Sequence, residues 1–315
     1  MGTISFYPQE QYIFMLVLIA LGGNALIKRG EKLSIATQEK NVRRAAKSIR
    51  DILKKHHAVV TFGNGPQVGN IMIQIESALG KAYPVPLHVA VAESEGEIGY
   101  LLEQAICNEI KKPVVSILTQ VIVNKNDPAF RKPTKPIGPY YNKNEAEKLE
   151  QKCYKMKKIN GGYRRVVASP RPLEIIEAPV IKRLSSMGVI TIAAGGGGIP
   201  VYKEGKRLAG IDAVIDKDLA SACLAKGIGA QMLFILTDVP YAYMNYGKSN
   251  QKALKKLSVK EARRLLNEGH FPAGSMGPKI QAAAEFAQYG GKSIITNFSS
   301  LKKAMQGKAG TTIVK

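Results

Sequence analysis

The feature that most constrains the fold is a pattern that the chain repeats three times: an apolar strand, a glycine-rich turn and a helix-compatible stretch. The strands are Met15–Leu21, Ala58–Phe62 and Val189–Ala194, and the turns after them read GGN, GNGPQVG and GGGG. Strands that alternate with helices imply right-handed crossovers and a parallel sheet that is buried on both faces. The pattern therefore predicts an α/β fold whose open, mostly parallel sheet is sandwiched by helices.

Residues 125–172 break this alternation. They are rich in Pro, Lys and Tyr and include a charged, helix-like stretch at 144–159. A long irregular insertion in a compact domain is often a lid or a binding element, and a plain surface excursion is the alternative. Outside this insertion, further helices are predicted near 39–56, from the second glycine turn to about 79, and at 217–226, 258–268 and 278–289.

The charge balance is strongly basic, with 46 Lys plus Arg against 24 Asp plus Glu and a formal net charge of +22. Such an excess favours an anionic partner, which could be a nucleotide, a nucleic acid or an acidic membrane surface. Surface lysine that only keeps the protein in solution explains the charge equally well. The charge alone does not choose among these readings.

The three cysteines and four histidines show no paired or metal-ligand spacing. A disulfide framework and a zinc site built by the protein are therefore not expected, and a reducing, cytoplasmic compartment fits better. The one long apolar run, Tyr12–Leu21, is too short to span a bilayer and follows no basic segment. Residues 1–13 are interpreted as a loosely specified extension.

The glycine turns are candidates for binding an anion, because backbone N–H groups approach a phosphate or carboxylate closely only where side chains do not intervene. In a parallel sheet such loops meet past the carboxyl ends of the strands. The P-loop pattern GxxxxGK[ST] is absent, and no GxGxxG opens a convincing dinucleotide site. Any phosphate chemistry here must use another scaffold.

Two lysines are predicted in the first turns of helices, where a cation opposes the helix dipole. Lys217 follows Asp216, the predicted N-cap, and Lys279 follows a helix start placed at Pro278. Two such lysines make sense if a polyanion completes the charge balance, with Asp218 holding both ammonium groups. Phosphoryl transfer needs this neutralisation, and an oxyanion acceptor needs no general base. Solvated lysines beside a capping Asp are the alternative.

Aromatic residues follow the predicted strand that ends in Thr237-Asp238. Tyr241, Tyr243 and Tyr246 either pack against an adenine ring or anchor the loop by burial. The residues alone leave both interpretations open.

Ten segments along the chain form a specific set. They are ALGGNA (20–25), TFGNGPQVG (61–69), GEIGYLLEQ (96–104), PTKPIGPYY (133–141), YRRVV (163–167), AAGGGGIPV (193–201), DAVIDKDLAS (212–221), LTDV (236–239), GSMGPK (274–279) and GTTIV (310–314). In this order they resemble carbamate kinase, a member of the amino-acid-kinase superfamily, and they cover nearly all of the chain from residue 15 onward. PTKPIGPYY and VIDKD are the most specific of them.

The resemblance implies an N-terminal carbamate-binding lobe at 14–200, which contains a protruding subdomain at about 125–172, and a C-terminal nucleotide-binding lobe at 201–315. It implies reversible phosphoryl transfer between ATP and carbamate, giving ADP and carbamoyl phosphate, often in the ATP-forming direction of the arginine deiminase pathway. It also implies a cytoplasmic homodimer and Mg²⁺ held mainly by the ATP phosphates. Neither nucleic acid nor a membrane is expected as a partner.

Site residues follow from the resemblance by matching motif. Lys217 and Lys279 would contact the transferring phosphoryl group and the ATP phosphates, Asp218 would orient them, and Lys135 would reach in from the protruding subdomain. The residues that would hold the carbamate or line the centre are Gly22, Gly23, Asn24, Gly63, Asn64, Gly65, Gly196 and Gly197. Asp238, Tyr243 and Met276 would lie near the nucleotide.

The chain departs from the family pattern at Ala168 and Ser249, where proline is usual, and in its 13-residue extension. Other kinases of the superfamily, such as N-acetylglutamate kinase and uridylate kinase, generally carry a lysine just before the first glycine pair, whereas this chain has Leu21 there. A non-catalytic protein that binds nucleotides or RNA through the basic surface is the alternative of another class, although no nucleic-acid module is visible.

Overall fold

The computed structural model describes residues 14–23, 26–27, 30–159, 161–272 and 274–315, and its strands confirm the α/β prediction. In chain order the strands are β1 (Leu16–Leu21), β2 (His57–Phe62), β3 (Val114–Ser116), β4 (Gln120–Val123), β5 (Lys135–Tyr141), β6 (Met156–Ile159), β7 (Gly162–Val167), β8 (Pro172–Ile175), β9 (Ile190–Ile192), β10 (Ile199–Glu204), β11 (Arg207–Gly210), β12 (Met232–Leu236), β13 (Ala242–Met244), β14 (Lys252–Leu254), β15 (Lys256–Ser258), β16 (Lys292–Thr296) and β17 (Thr311–Val314).

Helices alternate with these strands over most of the chain. They are α1 (Ile35–Lys55), α2 (Gly65–Ser77), α3 (Leu87–Cys107), α4 (Lys143–Gln151), α5 (Ala178–Ser186), α6 (Lys217–Ile228), α7 (Val259–Asn267), α8 (Met276–Gln288) and α9 (Leu301–Met305). Within the described residues, no helix is long and apolar enough to cross a membrane.

The main sheet has eight strands in the order β15-β17-β16-β12-β1-β2-β9-β3. Its strands pair in parallel except for β16 with β17, so the sheet is mostly parallel as predicted. The central strand β1 shows why both faces are covered. Leu18 and Ala20 join a core formed with α5, α6 and α8, whereas Val17, Ile19 and Leu21 join a second core formed with α1 and α3. Alternate side chains of one strand thus seal two layers of helices.

The insertion predicted at 125–172 contains its own three-stranded antiparallel sheet, in the order β5-β7-β6, with α4 beside it. This subdomain contacts α2 closely: a Cβ on Gly69 would lie 2.0 Å from the Gly138 backbone. Arg165 also reaches Glu76 of α2, with 2.5 Å between Nη1 and Oε1. The insertion is therefore packed against the main body through backbone contact and a half-buried ion pair.

Three predicted boundaries were wrong. Helix α1 begins at Ile35 rather than near Glu39, because Ser34 caps it by accepting the N–H of Thr37. The stretch 144–159 is helical only to Gln151, and β6 then pairs with β7. Helix α8 begins at Met276, so Pro278 is its third residue rather than its first.

Candidate active site

The N-terminus of α6 places three charged residues in sequence at the carboxyl edge of the main sheet. Asp216 is the N-cap, as predicted, and its Oδ1 accepts the N–H groups of Asp218 and Leu219 at 3.0 and 3.4 Å. Lys217 is the first helical residue and is 8% exposed, and Asp218 is 3% exposed. The cap therefore holds a buried lysine and a buried carboxylate where the helix dipole is positive.

Asp218 holds two ammonium groups at once. Lys217 Nζ lies 2.5 Å from Oδ1, and Lys279 Nζ, on α8, lies 2.8 Å from Oδ2. Burial alone would raise the pKa of Asp218, but the charges of Lys217 and Lys279 hold that pKa well below its usual range. The carboxylate is therefore ionised, and both of its oxygens are engaged by lysines.

The two lysines respond differently to this environment. Burial lowers the pKa of Lys217, and the neighbouring charge of Lys279 lowers it further. Burial also disfavours the charge of Lys279, but the carboxylates of Asp218 and Asp216 outweigh it and raise the pKa of Lys279. A bound polyanion would relieve the penalty on charged Lys217, so the cluster is electrostatically suited to phosphate groups.

Lys135 enters the same cluster from the insertion. It is the first residue of β5, and its Nζ lies 2.7 Å from Oδ2 of Asp216. Burial would raise the pKa of Asp216, yet the Lys135 charge keeps it below its ordinary value. Three lysines from three different elements thus meet around two neighbouring carboxylates.

The predicted glycine loops lie against one another and against α6. A Cβ on Gly63 would lie 3.2 Å from Cδ of Lys217 and 3.8 Å from the Cα of Gly23. A Cβ on Gly196 would lie 2.0 Å from Nδ2 of Asn64, and Gly196 itself has a positive φ of 67°. The close approach of the second and third loops therefore requires glycine at this position.

Two further contacts complete the arrangement. A Cβ on Gly65 would lie 3.8 Å from the carbonyl oxygen of Pro136 in the insertion. Gly197 packs on the carbonyl of Ile215, one residue before the α6 cap. The predicted loop residues are thus brought together beside the lysines. Asn24 lies outside the described residues, as do residues 1–13.

The predicted nucleotide residues line a neighbouring cleft of about 180 Å³. Its walls combine an acidic end with aromatic and apolar side chains, and they are formed by Thr237, Asp238, Val239, Tyr243, Tyr246, Phe271, Pro272, Ser275 and Met276. The rings of Tyr243 and Tyr246 are 5.7 Å apart, and Tyr241 packs edge-on against Tyr243 at 6.3 Å. Tyr243 and Tyr246 therefore line the cleft, whereas Tyr241 supports Tyr243.

Sequence reasoning missed Glu95 of α3, which is 1% exposed. Its two carboxylate oxygens accept the N–H groups of Gly195 and Thr119 at 2.8 and 3.2 Å. Burial raises the pKa of Glu95 to about 8. The available signal was a charged residue on the apolar side of a helix, which needs a partner from another element. Glu95 supplies the anchor of the third glycine loop.

A second missed link joins β2 to α6. The hydroxyls of Thr61 and Ser221, both fully buried, lie 2.6 Å apart, and Ser221 also donates to the carbonyl of Lys217. These bonds tie the second glycine loop to the helix that carries the lysines. Residue types alone gave no sign of this pairing, because the two residues are 160 positions apart.

The chain is similar to known proteins over nearly its whole length. The model of the amino acid kinase family matches residues 15–297. A carbamate kinase of Thermococcus kodakarensis is 46% identical over 312 residues, which cover 95% of this chain and 99% of the relative. A structure of carbamate kinase from Giardia lamblia bound to citric acid superposes with a TM-score of 0.91 at 44% identity, and one bound to AMP-PNP with 0.88 at 45%. Each covers 96% of this chain and 99% of the other. The chain belongs to the amino acid kinase family, among the carbamate kinases.

Proposed function

We propose that this protein catalyses reversible phosphoryl transfer between ATP and carbamate. The observation that carries the proposal is the pair of lysines, Lys217 and Lys279, which one buried carboxylate, Asp218, holds beside converging glycine loops. A transferring phosphoryl group spreads negative charge over its oxygens, and preorganised cations stabilise that charge. The carbamate kinase relatives match this chain over nearly its whole length, which supports carbamate as the acceptor.

In the ATP-forming direction, a β-phosphate oxygen of ADP attacks the phosphorus of carbamoyl phosphate. The new P–O bond forms as the bond between phosphorus and the carbamoyl oxygen breaks, and carbamate leaves as an anion. Lys217 and Lys279 neutralise charge on the moving group, and Lys135 approaches from the insertion. Attacking and leaving groups are both oxyanions, so the step moves no proton and needs no general base.

The two substrates are assigned to opposite sides of the cluster. We place carbamate in the lobe at 14–200, against Gly22, Gly23, Asn24, Gly63, Asn64, Gly65, Gly196 and Gly197. The nucleotide belongs to the lobe at 201–315, in the cleft of Asp238, Tyr243 and Met276. The aromatic and apolar wall of that cleft supports an adenine site.

Magnesium is proposed to enter with the nucleotide, held mainly by its phosphates. Both oxygens of Asp218 already accept lysine ammonium groups, so this carboxylate is poorly suited to bind a metal directly. Among the described residues, no group of three or more His, Cys, Asp or Glu side chains is arranged to hold a metal ion. A cytoplasmic homodimer that works in the ATP-forming direction of the arginine deiminase pathway completes the proposal.

The test is a coupled assay that follows ATP formed from ADP and a phosphoryl donor, with magnesium present. We expect turnover with carbamoyl phosphate and much less with acetyl phosphate, which offers a similar mixed anhydride without the amino group. Equal rates with the two donors would contradict carbamate as the acceptor. No ATP from either donor, together with tight and salt-sensitive RNA binding, would favour the non-catalytic alternative.

A further inference from the structure

We propose that Asp216 is a positioning residue that docks Lys135 at the site before the substrates bind and yields it to the phosphoryl group when they do. This inference rests on the proposed function and adds a residue to it. The geometry that points to it is that the two carboxylate oxygens of Asp216 have different partners. Oδ1 caps α6, and Oδ2 pairs with Lys135.

The cap fixes Asp216 independently of Lys135. Oδ1 accepts the N–H of Asp218 and, more weakly, that of Leu219, so the carboxylate keeps a defined orientation at the first turn of α6. Asp216 therefore offers Lys135 a rigid partner only one residue from Lys217. A flexible lysine on a protruding sheet gains from such a partner, because its ammonium group is then placed near the reacting atoms in advance.

The two carboxylates of the cluster differ in whether they can release a lysine. Asp218 has one ammonium group on each oxygen and is 3% exposed, so losing either lysine would leave buried charge uncompensated. Asp216 would keep its backbone donors after Lys135 left. The side chains of Lys135 and Asp216 are also more exposed, at 26% and 17%. Lys135 is therefore the lysine that can change partner.

The charge balance makes the exchange favourable once a polyanion is present. Lys135, Lys217 and Lys279 carry three positive charges against the two negative charges of Asp216 and Asp218. A nucleotide and carbamoyl phosphate bring several further negative charges to the same place. Lys135 then gains more from phosphate oxygens than from Asp216, while Asp216 stays neutralised in part by the helix N-terminus.

The test is Asp216→Asn, which keeps an N-cap of similar strength and removes the negative charge that pairs with Lys135. We expect kcat with carbamoyl phosphate and ADP to fall by about 10- to 100-fold, because without Asp216 beside it Lys135 is placed less well against the phosphoryl group in the substrate complex too. KM for carbamoyl phosphate should not rise, because the phosphate no longer competes with the Asp216 carboxylate for Lys135. Asp216→Ser is a second neutral cap if the Asn variant folds poorly. The matched control is Asp212→Asn in the same loop, which removes only a surface partner of His88.

A double-mutant cycle with Lys135→Ala decides between positioning and a merely structural role. If Asp216 acts through Lys135, Asp216→Asn should change kcat by less than about threefold in the Lys135→Ala background. Equal losses in both backgrounds, or a normal kcat for Asp216→Asn, would overturn the proposal. Failure of the proposed function is a separate result, because the unmodified chain would then form no ATP from carbamoyl phosphate at all.

Discussion

Lys279 of α8 donates to Oδ2 of Asp218 on α6 at 2.8 Å, across 61 positions of sequence. The other oxygen of Asp218 accepts from Lys217. One carboxylate therefore fixes the separation of two ammonium groups whose lysines lie in the first turns of two different helices. Since phosphoryl transfer depends mainly on placed charge, this relationship sets what the site can do.

Removing either ammonium group should strongly reduce the turnover of the folded variant. We expect Lys217→Ala and Lys279→Ala each to lower kcat by about 100-fold or more, as for lost electrostatic stabilisation of a transition state. Steady-state rates of ATP formation from ADP and carbamoyl phosphate measure the effect. Lys226→Ala, at the exposed end of α6 over the Tyr289 ring, is the matched control and should keep normal turnover. Near-normal kcat in both site variants would contradict the role given to Lys217 and Lys279.

The insertion should matter to catalysis through Lys135. Lys135→Ala should lower kcat by about 10-fold or more, because its ammonium group reaches the cluster from β5. The exposed Lys132, three residues earlier, provides the control, and Lys132→Ala should behave like the unmodified chain. Equal rates for the two variants would show that the insertion only covers the surface.

Alanine substitutions at the two adjacent glycines of the first loop should have different effects, one on packing and the other on substrate binding. A Cβ on Gly22 would lie 2.6 Å from the carbonyl of Leu236, whereas a Cβ on Gly23 would meet nothing within 4 Å. Gly22→Ala should therefore lower the free energy of unfolding by about 1–3 kcal/mol. Gly23→Ala should leave stability nearly unchanged and raise KM for carbamoyl phosphate. Chemical denaturation measures the stability of both variants, and steady-state kinetics measures their KM. Similar losses of stability in both variants would contradict the difference in packing between Gly22 and Gly23.

Glu95 should make stability depend on pH. Burial raises its pKa from 4.5 to about 8, so between these values the folded chain holds a proton that the unfolded chain releases. The contribution to stability is complete below about pH 4.5 and is lost as pH rises towards 8. Comparing Glu95→Gln with the unmodified chain in denaturant titrations from pH 5 to 9 measures it. The unmodified chain should lose on the order of a few kcal/mol relative to the variant. Parallel pH profiles would show that Glu95 does not titrate there.

The features of this fold that depend on neighbouring residues in the chain could be predicted from the sequence. Runs such as Met15–Leu21 followed by glycine are typical of buried parallel strands, and they predicted the central sheet. An N-cap Asp next to a lysine likewise predicted where Lys217 would lie on α6. Both inferences depend on neighbours in the chain, which residue types reveal directly.

Contacts between distant segments could not be read in the same way. Lys135 and Asp216 are 81 positions apart, and only the folded insertion brings them together. Lysine-rich β6 looks helical by itself, but pairing with β7 overrides that preference. The sequence analysis did not predict helix α3, because glycines and Glu95 interrupt its apolar pattern. The partner that allows Glu95 to be buried there, the N–H of Gly195, comes from a distant loop.

The most direct test of the central claim is the initial rate of ATP formation from ADP and carbamoyl phosphate with magnesium, measured in parallel for the unmodified chain and Lys217→Ala. We expect clear turnover by the unmodified chain, little turnover with acetyl phosphate as donor, and a rate about 100-fold lower in the variant. No ATP formation by the folded, unmodified chain from carbamoyl phosphate would contradict the proposed function.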